Sequence, residues 1–311
     1  MKLFIVSICI FLFAPATIIA QGNKSIDTEI SLNAADSFYY ALDWKNAKII
    51  YDQLLTDTSA DAIHLNRVGF CDFKLKDYDA AKFFFQRSLN ANPIPPVKAS
   101  AYSRMARLNA IHKNNELAFA NIDSAVAAGY SSYEELDTLS DFNNIRSDNR
   151  FKEARKRVFG IRFPCMVNPK AREFDFWAGD WDVYVTGTRN YAGHNTIQII
   201  SGGCALLENW ENPAGTGKSI NFIDPITNKW KQTWVGSYSG GIQEFVNGEY
   251  RDSAMRFVFE TTNAQGNKQI GRFIFYNEAP GQVRQFNETS GDNGKTWVTS
   301  YDFTYIKKAK K

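Results

Sequence analysis

Two rhythms divide the chain. Between residues 28 and 160, apolar side chains recur every three or four positions, as in Ala81, Phe84, Phe85 and Leu89, the spacing that gives a helix one apolar face. From Arg162 that stripe gives way to short apolar or alternating runs separated by Gly, Asn, Asp and Pro clusters. This predicts an antiparallel β domain over residues 162–306. Strands are expected near Phe174–Thr186, Thr196–Ser201, Cys204–Trp210, Ser219–Phe222, Lys229–Val235, Ile242–Val246, Met255–Thr261, Gln269–Tyr276, Gln282–Glu288 and Trp297–Ile306. About ten short strands with no helices between them form a barrel or a sandwich. A barrel is favoured because closure removes the sheet edges.

The helical part repeats itself. Asp43-Trp44, Ala47, Tyr51 and Leu55 return 34 positions later as Asp77-Tyr78, Ala81, Phe85 and Leu89. A third copy, offset by 37, carries Ala118, Ile122 and Val126, with the extra residues at Ile94-Pro95-Pro96, where proline stops the preceding helix. One helical hairpin cannot bury its face alone, so copies stack. With Gly69 and Ala81 at small positions, Phe85 at a large one and Pro93 at the exit, the middle copy resembles the tetratricopeptide repeat. The other two carry Ser59 and Tyr130 where it has proline. An ordinary helical bundle is the rival architecture. Leu136, Leu139, Phe142 and Ile145, followed by a helix opening at Ile145–Phe151, resemble the segment that closes many bacterial arrays of this kind. The resemblance implies a groove for an extended peptide or protein partner, with Asn66, Arg67, Arg104 and Arg107 as its contacts; a bare spacer is the alternative. His64 and His112 are read as packing or surface residues.

In the β part, Phe174 and Phe176 precede Gly179-x-Trp181, and Asp224-Pro225 precedes Trp230-x-x-x-Trp234. This looks like a calycin-type (lipocalin-like) barrel, and more closely a bacterial family of uncharacterised lipocalin-like domains. The resemblance implies that Trp181 plugs the closed end of the barrel. Ser290-Gly291-Asp292-Asn293-Gly294-Lys295-Thr296-Trp297 matches the Asp-box pattern that sialidases carry in several copies. A single copy reads as a hairpin turn: Asp292 bonds turn amides, Gly294 takes a positive φ and Trp297 packs inward.

Composition narrows the function. Formal charge is +3, with 22% charged and 44% hydrophobic residues, which excludes a disordered polymer and argues against a nucleic-acid binder. Lys307, Lys308, Lys310 and Lys311 form a basic tail. Residues 1–20, with Lys2, an apolar run and Ala14, Ala16 and Ala20 ahead of Gln21, read as a cleavable signal peptide. The expected product is exported, periplasmic or secreted, with no membrane span. Cys71, Cys165 and Cys204 follow; Cys71 suits a buried helix face, Cys165 and Cys204 suit a disulfide, and three pairings remain open.

Arg256, Arg272 and Arg284 on three successive strands, with Gln232, Trp234 and Glu244, suit a pocket for an anionic or polar ligand. If the register slips by one residue, the arginines face solvent or pair with acids instead. No nucleophile elbow, His-Glu-x-x-His or phosphate loop is present, and no cofactor is expected. The expectation is therefore a non-enzymatic binding or scaffold protein: helical repeats for a protein or peptide, a barrel for a small ligand. The alternative is a hydrolase-like enzyme acting on a carbohydrate or lipid-derived substrate in the barrel. Converging carboxylates or a metal would favour the enzyme.

Overall fold

The computed structural model describes residues 31–55, 61–237 and 241–309. The stretch read as a signal peptide, together with Ser59, Lys310 and Lys311, lies outside them. Two compact units are present, Met1–Pro93 and Ile94–Lys311.

The first unit holds α1 (Leu32–Tyr40), α2 (Trp44–Leu54), α3 (Ala62–Lys74) and α4 (Tyr78–Asn90). Helix starts follow the repeat: Asp43 accepts from the Asn46 amide and Asp77 from the Ala80 amide, each capping a helix at the same copy position. Ala47, Tyr51, Ala81 and Phe85 are fully buried. A Cβ on Gly69 would sit 2.8 Å from the Phe85 ring and 3.1 Å from the Ala81 carbonyl oxygen, so only glycine lets α3 and α4 approach this closely. Cys71 is buried in the same unit.

The second unit opens with α5 (Pro95–Ile111), α6 (Asn115–Ala127), α7 (Tyr133–Thr138) and α8 (Asn149–Arg162). The expected stripe at 136–145 is not one helix: α7 ends at Thr138 and a 3-10 turn spans Ser140–Phe142. Arg146 holds this corner by donating to the carbonyl oxygens of Leu136 and Leu139, at 2.5 and 2.6 Å. Leu136, Phe142, Ile145, Phe151 and Val158 bury against Ala118 and Ile122 of α6. One turn geometry recurs at the repeat spacing. Leu42, Lys76 and Lys113 all have positive φ, and the next residue in each copy bonds back five positions: Asp43 to Phe38, Asp77 to Asp72, Asn114 to Asn109.

Next come α9 (Pro164–Val167) and 3-10 turns at Pro169–Arg172 and Asp175–Trp177. A strand was expected from Phe174, but a 3-10 turn spans Asp175–Trp177 and the first strand starts only at Gly179, while Phe174 and Trp177 fold into the core with rings 5.0 Å apart. Ten strands follow: β1 (Gly179–Val185), β2 (Tyr191–Ile200), β3 (Ala205–Asn212), β4 (Gly215–Asp224), β5 (Lys229–Gly236), β6 (Ile242–Arg251), β7 (Ala254–Thr262), β8 (Lys268–Ala279), β9 (Gln282–Ser290) and β10 (Val298–Lys307). Each pairs antiparallel with the next, and β1 pairs with β10, so the sheet closes into a barrel. Ten strands in sequential order leave no open edge. A disulfide joins Cys165 of α9 to Cys204, just before β3. No described helix is long and apolar enough to cross a membrane.

Candidate functional site

Strand alternation sends every second side chain into the barrel. At one end Trp177, Trp181 and Trp230 are buried with Phe174 and Phe275. Two residues farther along the strands the interior turns polar. Glu208 on β3 and Gln232 on β5 occupy this level, beside Asn195 on β2 and Ser219 and Asn221 on β4, all nearly or fully buried. Two residues farther again it turns aromatic, with Trp210 on β3 and Trp234 on β5. Phe303 and Tyr301 of β10 extend that wall, their rings 5.1 Å apart and stacked, and Phe303 also stacks on Trp210 at 6.2 Å. Glu208, Gln232, Trp210, Trp234, Tyr301 and Phe303, with Phe245, Phe273 and Gln285, line a cavity of about 390 Å³, within the range of small-molecule sites.

Glu208 is the acid of this cavity. Its carboxyl accepts from Asn195 Nδ2 at 2.7 Å, Ser219 Oγ at 2.6 Å and Gln232 Nε2 at 3.2 Å. Burial pushes its pKa above the ordinary glutamate value, and the three donors oppose that only in part. The Tyr305 hydroxyl donates to Gln285 Oε1 at 3.0 Å. Burial also raises the Tyr301 and Tyr305 phenols, so both stay protonated. The buried oxygens Asn195 Oδ1, Asn221 Oδ1 and Gln232 Oε1 find no hydrogen-bond partner among the described residues. An unpaired buried acceptor costs roughly 1–3 kcal/mol, so the polar level holds unspent acceptor capacity.

Gly217 on β4 shapes the wall. A Cβ there would lie 2.1 Å from the Trp234 ring, so the indole fits only against bare backbone on the neighbouring strand.

Of the residues expected in the pocket, Gln232 and Trp234 line the cavity. The other four stand on the outer face, a correction that follows from alternation, because Phe245, Phe257, Phe273 and Gln285 next to them point inward. Glu244 pairs with Lys231 and accepts from Thr233. Arg256 lies over the Tyr276 ring at 5.4 Å. Arg272 stacks on Trp297 at 3.8 Å and reaches Glu288 at 3.3 Å. Arg284 forms a two-pronged pair with Asp302, at 2.8 and 2.6 Å. No arginine or lysine lines the cavity. The Asp-box turn forms: Asp292 accepts from the Lys295 and Thr296 amides, and Gly294 has φ 84°. Trp297, however, covers Arg272 outside the barrel rather than packing inward.

Among the helical residues, Asn66 and Arg67 fall in the first unit and Arg104 and Arg107 in the second. Asn66 is buried. Arg67 pairs with Asp36 at 2.5 Å and donates to the Tyr40 hydroxyl at 2.7 Å. Arg107 is buried against Asp141 at 2.7 Å. Glu208 was missed, although its phase with Leu206 and Trp210 was a usable signal. No cluster of three metal-binding side chains occurs among the described residues. The chain matches no protein-family model and no curated protein sequence.

Proposed function

We propose that this is an exported binding protein whose lipocalin-like barrel takes a small organic molecule, while tetratricopeptide-like helical repeats take a protein or peptide segment. The observation that carries the barrel reading is the cavity itself: about 390 Å³, sealed by tryptophans at one end and aromatic toward the other, with a polar level between. A barrel that served only as a scaffold would fill this volume with side chains, because unfilled core volume is destabilising. The recurring turn at Leu42, Lys76 and Lys113 supports the repeat reading.

Native mass spectrometry of the protein purified from its own host tests the barrel reading. A mass excess released by unfolding, and diminished in Trp234→Ala, is the expected result. A protein that carries no excess mass and takes up no neutral apolar dye overturns it.

A second reading has one observation behind it. A lone buried acid with a raised pKa in an aromatic pocket is the kind of group that acts as a general acid. A hydrolase would need a partner for Glu208, and no second carboxylate lines the cavity.

A further inference from the structure

We infer that the barrel's ligand is a small organic cation, an amine carried as its ammonium form, held by the Glu208 carboxylate with its body among the rings of Trp210, Trp234 and Phe303. This rests on the reading that the barrel takes a small molecule.

Three observations converge. The first is charge. Glu208 is the single carboxyl in the cavity lining, and no lysine, arginine or histidine is there to meet an anion; the arginines stand outside. The second is donor and acceptor balance. Asn195, Ser219 and Gln232 direct their donors at Glu208, and Gln232, itself in the cavity lining, keeps Oε1 unpaired. A sugar hydroxyl accepts as well as donates, whereas an ammonium only donates and so suits a carboxylate with an unpaired amide oxygen beside it. The third is the wall. Aromatic faces attract a cation and offer nothing to an anion, and the attraction grows when water is excluded.

The proton balance follows. In the free protein Glu208 is held toward its neutral form by burial. Docking of R–NH3⁺ favours the carboxylate, so a proton held by Glu208 in the free protein would leave to solvent while the ammonium keeps its own. The titratable groups facing Glu208 are Tyr301 and Tyr305 of β10, both protonated. Asn195 from β2, Ser219 from β4 and Gln232 from β5 are neutral.

The test uses matched probes on the full chain: phenethylamine, phenylethanol and phenylacetate, then tryptamine, tryptophol and indole-3-acetate. Affinities come from calorimetry. The amine of at least one set is expected to bind tenfold or more tighter than its alcohol, and the carboxylate most weakly. Calorimetry in two buffers of different ionisation enthalpy, repeated from acid to neutral pH, should show proton release on the acid side for the amine alone. Glu208→Gln should abolish the preference, so that amine and alcohol bind the variant alike. If an alcohol or carboxylate binds as tightly as its amine, the cation inference falls while the small-molecule reading stands. If no probe binds and a neutral apolar dye is also refused, both fall.

Discussion

Trp181 donates its indole N–H to the carbonyl oxygen of Trp177 at 2.9 Å, and both rings are fully buried. A large apolar body is thereby placed in the core of the barrel with its one polar atom satisfied. Trp181→Ala leaves a void among Trp177, Tyr305 and their neighbours and frees the Trp177 carbonyl. Loss of roughly 3–5 kcal/mol is expected in urea unfolding of the barrel.

The Cys165–Cys204 disulfide spans 39 residues of sequence. Chain-entropy reasoning for a loop of that size gives about 3–4 kcal/mol of stabilisation. Paired substitution to serine should lower the unfolding midpoint of the second unit accordingly. An unchanged midpoint would mean that α9 and the start of β3 hold together without the bond.

Inner and outer residues should separate in function. Arg256→Ala, Arg272→Ala and Arg284→Ala should leave the expected mass excess in native spectra intact. Exposed or half-exposed pairs such as Arg284–Asp302 contribute only about 0–1 kcal/mol. Gln232→Leu, on the inner face, should reduce the bound mass. Loss of bound mass in the arginine variants alone would move the site to the outside of the barrel.

Asp72 of α3 gives the first unit a pH signature. Burial raises its pKa to about 6 despite Lys48 at 3.2 Å. An acid whose folded pKa lies above its unfolded value of 3.8 holds its proton longer in the native state. Its contribution is therefore most favourable below about pH 4 and is lost progressively as pH rises toward about 6. Asp72→Asn should flatten that part of the stability curve, by up to about 3 kcal/mol across the window. A wild-type curve that rises there in step with the variant's would contradict the assignment.

The ten strands were legible because alternation and turn chemistry are local signals, and the period of the helical part showed in Asp43, Ala47 and Tyr51 against Asp77, Ala81 and Phe85. The face of Arg284 was the least legible. Arg256 and Arg272 alternate with Phe257 and Phe273, which mark the inward phase, but Arg284 alternates with Gln285, and nothing in that strand taken alone says whether the glutamine or the arginine turns inward. The closed sheet decides it, because the interior can hold the neutral amide and cannot accommodate several unpaired guanidinium groups. Glu208 was obscured for the same reason: a glutamate inside a barrel is rare unless partners on other strands support it, and those partners lie 13, 11 and 24 positions away. Phe174 and Trp177 were misread as strand because apolar spacing cannot distinguish a strand from a plug.

The close seat of Trp234 against Gly217 makes the shape of the aromatic wall depend on a position outside the cavity lining. One methyl group at 217 would displace the indole without altering charge or hydrogen bonding at the polar level. Exchange of glycine for alanine on β4 would thus reshape the chamber while the acid beneath stays as it is.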